Sequence, residues 1–121
     1  MTNFDKQSAK AAMRGFIKQH FDQQVSDLAR LVQCPSDNPP GDCTPHALVT
    51  EHWLAAMGFV VERHEVPAAL VQQHGMKSVT NLIVREKFGT GGPVVAMNAH
   101  GDVVPPGEGW TGSPYSGEVR D

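Results

Sequence analysis

The sequence lacks most features that would place it in a specialised class. Its 121 residues hold only two cysteines, Cys34 and Cys43, separated by a Pro/Gly-rich stretch. That spacing does not suit a C-x-x-C zinc or redox pair, so two reduced thiols with no assigned chemistry are expected. Positive charge is not concentrated: 10 Lys and Arg against 13 Asp and Glu give a net charge of -3. Scattered basic residues on an acidic chain argue against nucleic acid or an anionic membrane as partner. No apolar run approaches the ~18 residues of a spanning helix. The start, Met1 to Lys6, has no apolar leader region, which predicts a cytoplasmic protein. No Ser or Cys sits in a G-x-S-x-G turn, and no H-E-x-x-H pair occurs. Nucleophilic hydrolase chemistry therefore has no visible support. Gly89-Thr90-Gly91-Gly92 is glycine-rich, but it leads toward a strand-like run rather than a helix, so it does not make a phosphate loop.

What is present is an ordinary globular composition, with 40% hydrophobic and 19% charged residues. One domain is expected at this length. From about Lys6 to Val32 the apolar residues recur every three or four positions, predicting one long amphipathic helix with a bend at Gly15. Pro35 ends it, and the run from Pro35 to Asp42 is a loop by composition. Thr44-Pro45 reads as a second helix start, with Thr44 as N-cap, and Gly58 as the stop beyond its end. Phe59 to Val66 and Val79 to Phe88 read as strands, with Pro67 to Gly75 between them as a loop or a short helical turn. Val94 to Met97 reads as a third strand, buried on both faces and joined to the second by a hairpin at 89–92. Glu118 to Asp121 looks like the start of another strand. The expected fold class is α/β, a mixed sheet flanked by helices.

The chain's chemistry concentrates where the third strand ends, at Asn98-Ala99-His100-Gly101-Asp102-Val103-Val104-Pro105. Ligands of open α/β sheets bind just past the carboxyl ends of strands. Residues two apart in extended chain point the same way, so His100 and Asp102 can converge. A neutral imidazole is a good zinc ligand, and a neighbouring carboxylate fixes its tautomer and raises its basicity. Of the six histidines, His100 alone has this setting; His20, His46, His52, His64 and His74 are expected to be structural or exposed. The loop from Gly109 to Gly117, with Trp110 and Tyr115, is either a pocket wall or a packed surface loop.

In three ordered places the sequence resembles the co-catalytic zinc aminoacylase and peptidase family, which includes desuccinylases, deacetylases and carboxypeptidases. Leu31 to Gly41 resembles the family's helix end and Pro-Ser-x-Asn-Pro-Pro-Gly loop. Ala96 to Pro105 resembles its first metal motif, and Trp110, Pro114, Tyr115 and Gly117 resemble the loop that follows. The resemblance implies that His100 ligates one of two zinc ions and that Asp102 is the catalytic support that orients it. It implies an aminopeptidase-like catalytic domain and hydrolysis of amide bonds in N-acyl amino acids or short peptides. In that chemistry the metals polarise the carbonyl and activate a water, and a glutamate moves its proton. The family's remaining ligands, its general base and its dimerisation domain have no counterpart in these residues. Residues 1–121 are therefore expected to be an N-terminal segment of the catalytic domain, inactive alone, from a homodimeric parent. Zinc, cobalt or manganese would suit such a site. A second expectation is a non-enzymatic binding or structural module with self-associating surfaces.

Overall fold

The computed structural model describes residues 5–120. Helix α1 (Lys6–Gln19) opens on Asp5, whose carboxylate accepts hydrogen bonds from the backbone N–H groups of Gln7 and Ser8. Helix α2 (Phe21–Val32) follows after the single residue His20. The expected single helix is thus divided, and at His20 rather than Gly15, which stays helical. The interruption is slight. His20 N–H still donates to Phe16 O at 3.0 Å and Gln24 N–H to His20 O at 3.0 Å, so the apolar stripe runs on in register. The imidazole of His20 lies 4.3 Å from the Phe16 ring, centroid to centroid.

Helix α3 (Thr44–Ala56) starts one residue earlier than its sequence suggests. Cys43, not Thr44, is the N-cap, and its side chain caps nothing. The missing acceptor comes from elsewhere: Ser78 Oγ takes the Thr44 N–H at 2.9 Å and donates its own proton to Asp42 Oδ1 at 2.6 Å. An N-cap acceptor is therefore supplied by a residue distant in sequence. The far end follows expectation. Gly58, at φ +92°, donates to Ala55 O, and Phe59 donates back to Leu54 O, the paired bonds of a Schellman stop.

Strands β1 (Val61–Glu65) and β2 (Thr80–Val84) pair antiparallel, Arg63 opposite Leu82. Between them the ambiguous stretch resolves as the short helix α4 (Ala68–Gln73). Helix α3 packs on both strands and on α2. The result is a small α/β arrangement, helices with a two-stranded antiparallel sheet.

The third strand does not form. Residues 94–97 belong to no strand or helix, with Val94 97% and Met97 93% exposed. An apolar run becomes a buried strand only when neighbours bond to its edges and cover its faces. Among the described residues none does so, and 89–92 closes no hairpin. The mixed sheet is likewise replaced by a purely antiparallel pair, parallel pairing surviving only as single bridges, Asp37 with Val103 and Asp42 with Ser78. Residues 118–120 form no strand, and Asp121 lies outside the described residues, as do the leader positions Met1 to Phe4. Among the described residues no helix is long and apolar enough to cross a membrane.

Candidate metal-binding corner

The loop between α2 and α3 brings the site together. Its first half runs beside residues 101–103: Asn38 N–H donates to Val103 O at 2.8 Å, and Val103 N–H donates to Ser36 O at 3.1 Å. The buried Ser36 adds a side-chain bond, Oγ to Gly101 O at 2.5 Å. The second half of the loop holds 77–78, where both Lys77 and Ser78 N–H groups reach Gly41 O. Gly41 sits at φ +69°, a conformation few side chains accept, and a Cβ there would collide with Met76 at 2.8 Å.

Within this frame His100 and Asp102 meet, even though the strand expected to present them is missing. His100 Nδ1 lies 3.1 Å from Asp102 Oδ1 and 2.9 Å from the Asp102 carbonyl oxygen. Asn38 Nδ2 donates to the other carboxylate oxygen, Oδ2, at 3.2 Å. The Asn38 hydrogen bond, followed by that of His100, holds the Asp102 carboxyl below its usual range, so it is ionised at neutral pH. A carboxylate and a carbonyl can only accept. Nδ1 must therefore carry a proton, and in the neutral ring the lone pair lies on Nε2, on a side chain that is 84% exposed.

That donor chemistry fits a metal at one position, an imidazole nitrogen backed by a carboxylate. It does not make a whole coordination sphere. Among the described residues no three His, Cys, Asp or Glu side chains gather as a metal site would need, whereas a catalytic zinc takes three protein ligands. Burial first, then the charges of Asp102 and Asp42, push the Cys43 thiol pKa up, so the thiol is held in its neutral form. Both cysteines are free thiols.

Five supporting residues stand outside the His-x-Asp pair that the sequence points to. Asn38 and Ser36 hold 101–103; both lie in the Pro-Ser-x-Asn-Pro-Pro-Gly stretch, whose resemblance marked the loop without tying it to His100 and Asp102. His46 Nδ1 bonds the Cys34 carbonyl at 3.0 Å and lays its ring where a Cβ on Gly101 would fall, 2.9 Å from Cδ2. Asp37 accepts from the Tyr115 hydroxyl, and this bond raises the phenol's pKa. Gln33 Nε2 ties the same loop through Ser116 O at 2.9 Å. With α2, that loop walls an open groove of about 440 Å³ lined by Val25, Leu28, Val32, Trp110 and Pro114. Residues 110–114 line this groove while Ser116 and Gly117 pack on α2, so the loop has both of the expected characters.

Comparison with known proteins agrees with the motifs. The chain is 40% identical over 93 residues to a succinyl-diaminopimelate desuccinylase of Methylorubrum extorquens, covering 75% of this chain and 22% of that protein. It is 39% identical over 103 residues to the enzyme of that name from Methylorubrum populi, 83% of this chain and 24% of the relative. The protein of that name from Rhizorhabdus wittichii is 38% identical over 94 residues, again 75% of this chain and 22% of the relative. The chain therefore spans between a fifth and a quarter of the length of the curated relatives it matches. No family model and no solved structure matches it. Identity near 40% over most of the chain decides its kinship: it belongs to the aminoacylase family that contains the succinyl-diaminopimelate desuccinylases.

Proposed function

We propose that this chain is the first-ligand corner of a metal-dependent amide hydrolase acting on N-acyl amino acids, with N-succinyl amino acids as the leading substrate class. The carrying observation is the His100–Asp102 pair, with Nδ1 turned to the carboxylate on an exposed ring, in a chain whose relatives are named desuccinylases. His100 would hold the metal and Asp102 would orient it. When bound, zinc supplies polarisation of the scissile carbonyl and acidification of water. This chain's own residues fix the imidazole, keep Asp102 ionised, and hold 101–103 through Ser36 and Asn38. Residues 1–121 act as a segment of the catalytic domain. Alone they are catalytically incomplete, because one imidazole and its carboxylate cannot replace three ligands and a general base.

The test is a chimera. The aligned segment of the Methylorubrum extorquens desuccinylase is exchanged for this chain, and succinate release from N-succinyl-diaminopimelate is followed together with metal content. The chimera should turn over in a chelator-sensitive way. His100→Ala should lower bound metal and reduce the rate on the order of 100-fold or more, the scale of losing a polarising metal. Full metal content and rate in the His100→Ala chimera would remove the assignment. Robust chelator-sensitive hydrolysis by the 121-residue chain itself would remove the claim that it is incomplete.

A further inference from the structure

We propose that Asn38 is the positioning residue of the His100–Asp102 pair. Its side-chain amide holds Asp102 Oδ2, so that Oδ1 stays on the Nδ1 proton of His100 and the lone pair of the neutral ring lies on Nε2. The ligating consequence rests on the reading of His100 as a metal ligand; the geometry does not.

Each oxygen of the Asp102 carboxylate has one side-chain partner, Asn38 on Oδ2 at 3.2 Å and His100 on Oδ1 at 3.1 Å. The carboxylate is itself 37% exposed, so water competes for both oxygens and an unheld carboxylate would rotate away from the ring. Asn38 is not free to follow it. Its backbone N–H is bonded to Val103 O at 2.8 Å, directly beside the residue its side chain holds. One residue therefore registers the backbone of the site segment and the rotamer of its carboxylate.

The chemistry of the position selects an amide. Asp102 is ionised and needs a donor, and aspartate at 38 would present a second acceptor at the same distance. Alanine would leave Oδ2 to solvent. The other contact of Asn38 Nδ2 is Met76 Sδ at 3.9 Å, a weak acceptor that cannot compete with a carboxylate. The backbone pairing of the loop does not need this side chain, since it runs through the Asn38 N–H and the Ser36 carbonyl. That leaves orientation of Asp102 as the role of the amide.

The test uses the metal-free 121-residue chain labelled with ¹⁵N, read by two-bond ¹H–¹⁵N spectra of the histidine rings. In the wild type, neutral His100 should be the Nδ1–H tautomer. One Asn38 side-chain amide proton should exchange about tenfold more slowly than those of Asn98, as a hydrogen bond to a charged acceptor implies. Asn38→Asp and Asn38→Ala should each shift His100 toward Nε2–H by about tenfold. Ser36→Ala, which removes only the side-chain bond to Gly101 O, should leave the tautomer where it is. Protection of the Val103 amide reports whether the loop still pairs in each variant. If the Asn38 variants lose that pairing, the wild-type spectra decide alone.

A wild-type His100 in the Nε2–H form, or an unprotected Asn38 amide, overturns the proposal. So does a Ser36→Ala shift equal to that of Asn38→Ala, which would assign the effect to the loop as a whole. Neither metal nor substrate enters this measurement. An inactive chimera with the expected tautomer would therefore sink the hydrolase reading alone.

Discussion

At His100 the two ring nitrogens are unlike, and the difference comes entirely from acceptors placed around Nδ1. Titrated with zinc, the 121-residue chain should bind weakly through Nε2, and His100→Ala should remove that binding in calorimetry. Tight one-to-one binding at micromolar protein would mean that further ligands gather which the structure keeps apart. Tyr115 gives a second residue-scale prediction, and it is the chain's one tyrosine. Its hydroxyl donates to Asp37, which raises its pKa above the usual 10.0. A raised folded-state pKa means that the contact stabilises the fold fully below the ordinary tyrosine range and is lost as pH rises through the folded value. Phenolate absorbance should therefore appear at higher pH in the folded chain than in urea, and Asp37→Asn should bring the two titrations together. Coincident titrations in the wild type would show that the Tyr115–Asp37 bond does not persist in solution.

At the scale of elements, the loop between α2 and α3 is the part on which other segments depend. It pairs with 101–103, receives 77–78 and accepts the hydroxyl of Tyr115. The loop carrying Tyr115 docks in turn on the end of α2 through Gly117, whose φ is +68° and whose added Cβ would lie 2.8 Å from Ala29 O. Gly117→Ala meets both obstacles, a left-handed backbone and a fixed carbonyl. It should destabilise the docked loop by about 1–3 kcal/mol, the cost of strain at such a position. Faster exchange of the Ser116 amide, which bonds Ser113 O, would register this while β1 and β2 keep their protection. Unchanged exchange would mean that the loop already moves independently of α2.

For the whole molecule, the described residues bury little. Ala47 and Val71 are the buried hydrophobic residues among them, while Phe16, Phe21, Leu28, Val94, Met97 and Val104 stand exposed. Exposed apolar surface on this scale favours association, and so small a core gives a shallow denaturant dependence. The isolated chain should self-associate as concentration rises, read by sedimentation, and unfold in urea over a broad range. A monodisperse monomer with a steep transition would contradict both expectations.

Much of this was legible locally. The amphipathic stripe of α1 and α2, the Gly58 stop of α3 and the strands at 61–65 and 80–84 follow from spacing and turn chemistry, which act within a few residues. The meeting of His100 and Asp102 also follows from local geometry, because side chains two apart in extended chain share a side. What the sequence alone did not settle were the contacts made across long separations. The cap on Thr44 comes from Ser78, the partner of Asp102 is Asn38, and the surface under Gly101 is His46. The strand expected at 94–97 marks the same boundary from the other side. Its composition suits a strand, but a strand exists only through the edges that bond to it, and those are a property of the tertiary structure.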